Sequence, residues 1–124
     1  MNISKNTHLI SRPNAKIAVE PDNWRKEMLV QAVTRAGATV SEIKDASALI
    51  WADPSRPELL PELLEPSLEW VQLPFAGIEP FLPMLDDQRV WTCGKGVYSQ
   101  PVAEHVLGSI LALKRGLVNY ARKN

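Results

Sequence analysis

Two short stretches of this chain carry residue types and spacings that bear on ligand chemistry. Phe75-Ala76-Gly77-Ile78 follows an apolar run at residues 68–73 and is set off from it by Pro74. Gly77 permits a positive φ, and consecutive backbone N–H groups turned inward by such a residue form a nest that a carboxylate can occupy. The same residues also suit a plain tight turn with Phe75 packed inward. Gly94-Lys95-Gly96-Val97-Tyr98-Ser99 follows a second apolar run at residues 90–93 and leads into a long helical pattern. In outline it is a dinucleotide fingerprint, but Ser99 stands where a third Gly or Ala belongs, and no later strand with an acidic residue follows. A phosphate cradle is therefore not expected there.

Trp51-Ala52-Asp53 closes a third apolar run. Trp51 suits either a pocket wall or the core, because a large aromatic residue is usually mostly buried, and Asp53 is expected to face solvent. Glu104 and His105 suggest an acid and base pair, yet neighbours on a helix project about 100° apart and do not face one another. A dipole-favourable Glu and an ordinary His account for them. His8 lies in a polar arm, and Cys93 reads as a small buried residue without a partner for nucleophilic chemistry. No catalytic residue and no metal-ligand set is expected.

These loops need a scaffold that gathers strand ends. Residues 16–19 read as a strand closed by Glu20-Pro21-Asp22, after which Asp22 or Asn23 can cap a helix. Trp24, Met28, Ala32, Val33 and Ala36 recur at helical spacing, and Gly37 is a stop signal. Residues 38–43 and 48–51 read as two further strands. The connection at 44–47 is too short for a full crossover helix, which implies a degraded helix or an irregular link. Residues 57–65 form a short helix interrupted by Pro61, and 79–85, with two prolines, a single turn at best. Runs at 68–73 and 90–93 complete a doubly wound, five-stranded parallel sheet of flavodoxin-like α/β type, with the loops at 51–53, 75–78 and 94–99 on one edge. A long C-terminal helix is expected from Pro101 to Arg122, with Glu104 in its first turn. It carries an apolar stripe of Ala103, Val106, Leu107, Ile110 and Leu111 that continues through Leu113, Leu117, Val118 and Tyr120. Gly108 and Gly116 are its weak points.

The chain has 124 residues, 45% of them hydrophobic and 23% charged, which suits one globular core. Its 14 Lys and Arg balance 14 Asp and Glu, so neither nucleic acid nor a membrane surface is an expected partner. A single cysteine excludes an intrachain disulfide and fits a reducing, cytoplasmic setting. No apolar run approaches the roughly 18 residues of a membrane span.

The succession WVQLPFAGIE, a strand, a Gly-containing loop and VAEHVLGSILALKR resembles the amino-terminal half of the D-isomer-specific 2-hydroxyacid dehydrogenases. The likeness is strongest over residues 68–115 and only topological before that. It implies a substrate-binding domain at 1–100 and, at 101–124, an interdomain helix leading to a nucleotide-binding domain outside these residues. In the family, the loop matching Phe75, Ala76, Gly77 and Ile78 holds the carboxylate of a small 2-oxo or 2-hydroxy acid by its backbone. Trp51 and Ala52 are implied, more loosely, to line the pocket, and Tyr98 and Val102 to lie near an NAD or NADP cofactor held by the intact enzyme rather than by this chain. On that resemblance the chain is an amino-terminal fragment, inactive alone and homodimeric through its last helix. Two rivals fit the same residues. One is a receiver-like phosphoacceptor domain using Glu20, Asp22, Asp53 and Lys95, although its fourth strand would end in Pro74-Phe75-Ala76 rather than Ser or Thr. The other is a non-catalytic dimerising module.

Overall fold

The computed structural model describes residues 14–122, so His8 and the rest of the polar arm before Asn14 lie outside them. Five strands form one sheet: β1 (Lys16–Glu20), β2 (Thr39–Val40), β3 (Ala48–Trp51), β4 (Trp70–Gln72) and β5 (Val90–Thr92). All neighbours are parallel and the order is β2-β1-β3-β4-β5, the flavodoxin-like doubly wound arrangement. The register aligns Ala18, Leu49, Val71 and Trp91 in one row across the sheet, and Ile17, Ala48, Trp70 and Val90 in the next. Side chains alternate between faces, so adjacent rows feed opposite layers.

One layer packs Ala18, Leu49, Trp51, Val71 and Leu73 against Leu60 and Phe81. These last two come from short 3₁₀ segments, Pro57–Leu63 and Glu79–Met84. Pro61 and Pro83 lack the N–H that an α-helical ladder would use, and tight 3₁₀ turns are the available alternative. The opposite layer packs Ile17, Val19, Ala48 and Ala52 against Val33 of α1 (Lys26–Arg35).

Of the stripe expected to face inward, only Val33 is buried. Leu29, Val30 and Val33 pack on the sheet, whereas Trp24 is 80% and Met28 59% exposed, and Ala32 and Ala36 are exposed too. Both stripes obey helical spacing, and the turn leaving β1 decides between them. In that turn Asn23 Oδ1 accepts the Arg25 N–H at 2.8 Å and the Asn23 carbonyl accepts the Lys26 N–H at 3.0 Å. Asn23 thus shapes the approach, while the helix itself starts without a side-chain cap.

The second strand is shorter than its apolar pattern. Only Thr39 and Val40 pair with β1, and Ile43 instead opens a 3₁₀ turn, Ile43–Asp45, and packs against the core. That turn is the irregular link expected before β3. At the other side, Asp86 organises the approach to β5: its carboxylate accepts from Arg89 Nη1 at 2.8 Å, from the Arg89 N–H and, at 3.4 Å, from Trp91 Nε1.

The chain divides into two compact units between Gly94 and Lys95. The second holds α2 (Ser99–Lys114) and α3 (Leu117–Ala121). Gly116 adopts φ +63° between them, so the single helix expected to run to Arg122 is broken at the residue best able to take a left-handed conformation. Pro101 is the third helical residue rather than the first, still among the positions whose N–H has no intrahelical acceptor. Glu104 falls beyond the first turn and accepts a hydrogen bond from Gln100 Nε2 at 2.9 Å. Among the described residues, no helix is long and apolar enough to cross a membrane.

Candidate functional site

Parallel strands put their carboxyl ends on one edge, and hydrogen bonds tie those ends together. The Ala52 N–H donates to the Glu20 carbonyl at 2.6 Å, joining the ends of β3 and β1. The Ala52 carbonyl in turn accepts from Asn23 Nδ2 and from Arg25 Nη1, each at 3.2 Å. At β5, the Gly94 N–H donates to the Phe75 carbonyl at 3.1 Å. Ala52, Phe75 and Gly94 therefore share one edge, as the alternating pattern requires.

The loop at 75–78 differs in one respect from its expected form. Gly77 lies outside the positive-φ region, which among the described glycines holds Gly37, Gly96 and Gly116. A nest built on a left-handed Gly77 is thus absent. What glycine permits here is a close approach: a Cβ at this position would lie 3.0 Å from Glu79 Oε2. Phe75, Ala76 and Gly77 are exposed and Ile78 is half-buried. Among the described residues, no protein acceptor takes the N–H of Phe75, Ala76, Gly77 or Ile78, while the Ile78 carbonyl receives the Phe81 N–H at 2.8 Å. The loop retains a run of donors for a ligand or for water.

Trp51 is only 1% exposed and sits in the core cluster. Its indole Nε1 is buried with no hydrogen-bond partner, the one such side-chain atom among the described residues. The Ala52 side chain is buried as well, so the part of Ala52 used at the edge is its backbone.

Asp53, expected to face solvent, is 7% exposed. Its Oδ1 accepts the Ser55 N–H at 2.8 Å and the Ser55 hydroxyl at 2.6 Å, and its Oδ2 pairs with Arg56 Nε at 2.8 Å. The Ser55 hydroxyl first, then Arg56 and the Ser55 amide, favour the charged form and hold the carboxyl down at about 2. Both oxygens are occupied in closing the turn after β3. A phosphoacceptor needs an accessible carboxylate beside free acidic groups, and here Glu20 is itself engaged by Lys26 at 3.3 Å.

Tyr98 and Val102 belong to the second unit, where the Val102 N–H donates to the Tyr98 carbonyl at 3.0 Å. Each is 57% exposed. The Ser99 N–H donates to the Gly96 carbonyl at 3.2 Å. The Ser99 amide at the start of α2 is thereby used within the turn. Cys93 is a half-buried free thiol, and among the described residues no group of three or more His, Cys, Asp or Glu is placed to hold a metal ion.

The residue missed by sequence reasoning is Arg25. Its guanidinium carbon lies 4.8 Å from the centroid of the Trp24 ring and 5.5 Å from that of Phe75, the first residue of the donor loop. A signal was present: an Arg just after the first strand's turn falls on the carboxyl edge of a parallel sheet. It was obscured because Trp24 reads as part of the helix stripe.

Comparison of the chain with protein-family models, with curated proteins and with solved structures gives no match. The architecture is a flavodoxin-like α/β domain of a kind shared by many nucleotide-binding and substrate-binding enzymes, and such a fold does not by itself select one activity.

Proposed function

We propose that this chain is the substrate-binding portion of an NAD(P)-dependent D-2-hydroxyacid dehydrogenase and that residues 75–78 hold the carboxylate of a small 2-oxo or 2-hydroxy acid. The observation that carries this reading is the run of unengaged backbone N–H groups after β4, at the edge where open α/β sheets bind ligands. Hydrogen bonds from such donors to an ionised carboxylate are roughly twice as strong as neutral ones. The order of the two motifs, WVQLPFAGIE and VAEHVLGSILALKR, supplies the dehydrogenase identity. A bound nicotinamide supplies the hydride in such enzymes. The share of the chemistry assigned to these residues is to bind the acid and fix its orientation.

Gly77→Val is expected to weaken acid binding on the order of tenfold, the loss of about one charge-assisted hydrogen bond. The branched side chain stiffens the loop and drives the Glu79 carboxylate from its present position. Because the displaced group is the flexible end of an exposed side chain, the melting temperature should barely move. Titration of the isotopically labelled chain with pyruvate, followed at the Ala76 and Gly77 amides, measures the effect. Equal affinities for parent and variant would remove the loop from the site.

The same reading assigns self-association to α2. Val102, Val106, Ile110 and Leu113 recur along it at helical spacing, each more than half exposed. Each large apolar side chain removed from water contributes about 1.5 to 3 kcal/mol, and a two-fold pair is the commonest closed arrangement. Light scattering over a concentration series should show a dimer that Ile110→Lys converts to monomer. A strict monomer at every concentration would refute this part of the reading.

A further inference from the structure

We infer that Arg25 receives a second acidic group on the acid held at residues 75–78, so that the site prefers a 2-oxo dicarboxylate to a 2-oxo monocarboxylate; this rests on the reading of that loop as the carboxylate site. The other arginines that bond to side chains in the first unit are neutralised nearby, Arg56 by Asp53 and Arg89 by Asp86, both at 2.8 Å. Arg25 has no acidic partner among the described residues. It is instead held by two ring faces and by one hydrogen bond, from Nη1 to the Ala52 carbonyl.

That mode of attachment holds the guanidinium without neutralising its charge. A guanidinium carries five N–H donors, and the Ala52 carbonyl takes one of them. The remaining donors suit the planar, paired recognition of a carboxylate. Position adds to this. Arg25 stands beside Phe75, the residue that opens the donor loop, and beside Trp24, whose high exposure sets this group at the rim. One carboxylate at the loop amides and another at the rim describe an acid with charge at both ends. The Glu79 carboxylate also reaches the loop, near Gly77, and opposes any anion there; the Arg25 cation beside Phe75 offsets that repulsion for the doubly charged ligand.

The test titrates the labelled chain with 2-oxoglutarate and, separately, with 2-oxopentanoate, which has the same carbon chain and lacks the second carboxylate. The Ala76 and Gly77 amides report the loop, and Arg25 Nε reports the guanidinium. Tighter binding of 2-oxoglutarate on the order of tenfold, with movement of Arg25 Nε, is expected. Arg25→Gln should bring the two affinities together. Arg25→Lys, which keeps the charge and loses the planar fork, should retain part of the preference, and it carries the test if the glutamine variant fails to fold. Equal affinities in the parent chain, or a preference that survives Arg25→Gln, would overturn the role of Arg25 and leave the loop reading standing. If neither acid moves the loop amides, both fall.

Discussion

Trp51→Ala should destabilise the sheet domain by about 3 to 5 kcal/mol, the usual consequence of emptying a large aromatic site in a core. Domains of this size are commonly stable by only about 5 to 15 kcal/mol, so the variant should be near unfolding at ambient temperature. The side chain belongs to a core cluster with Leu49, Leu60, Val71, Leu73 and Phe81, all buried. Trp51→Phe should behave differently. It opens a smaller cavity and also removes a buried indole N–H that has no partner, an arrangement that costs about 1 to 3 kcal/mol. The two contributions oppose each other, and a net loss near 1 kcal/mol is expected. Urea denaturation of the three proteins decides the matter. If the phenylalanine variant is as unstable as the alanine one, the indole N–H is hydrogen-bonded in solution and its partner is part of the fold. Were Trp51 mainly a pocket wall, either substitution would change acid affinity with little effect on the denaturation midpoint.

Asp53→Asn should lower stability at neutral pH by about 1.5 to 3 kcal/mol, the range for hydrogen bonds to a charged group. The substituted amide can still accept from Ser55, but its NH₂ group would face the Arg56 N–H, donor against donor. The pH dependence follows from the direction of the shift. The folded carboxyl, at about 2, binds its proton more weakly than an unfolded aspartate, at 3.8. Its stabilisation is therefore complete above 3.8, shrinks as pH falls toward 2, and is lost below that. Parent and variant should thus differ most at neutral pH and converge in acid. A constant difference across that acid range would mean that the Asp53 charge plays no part in holding the turn.

Much of this architecture was legible in local pattern. Each apolar run contains a strand, that at 38–43 only over Thr39 and Val40, and the connections were long enough for crossovers except at 44–47, where the structure has only a 3₁₀ turn. The prolines at 61 and 83 were sound guides to short, non-α segments. Asp53 was also open to a better local reading. Asp-Pro-Ser-Arg is a sequence in which the carboxylate can close its own turn, so its burial follows from neighbours two and three residues away. Gly77 shows the opposite case. Its residue type announces conformational freedom, yet the structure uses the lack of a side chain, because Glu79 folds back over it.

By itself the sequence determined which segments are strands, that they run parallel, and hence which loops meet at the carboxyl edge, because alternation, turn residues and connection length are properties of neighbours. Only the tertiary structure decided which of two apolar stripes α1 buries, that Gly116 rather than Gly108 breaks the last helix, and that Arg25 stands beside Phe75. Arg25 and Phe75 belong to segments separated by the whole of α1, β2, β3 and β4. Each residue is compatible with several local settings, and their contact arises only when the strands that carry them align in one sheet, where long-range packing selects among the alternatives that local preference leaves equal.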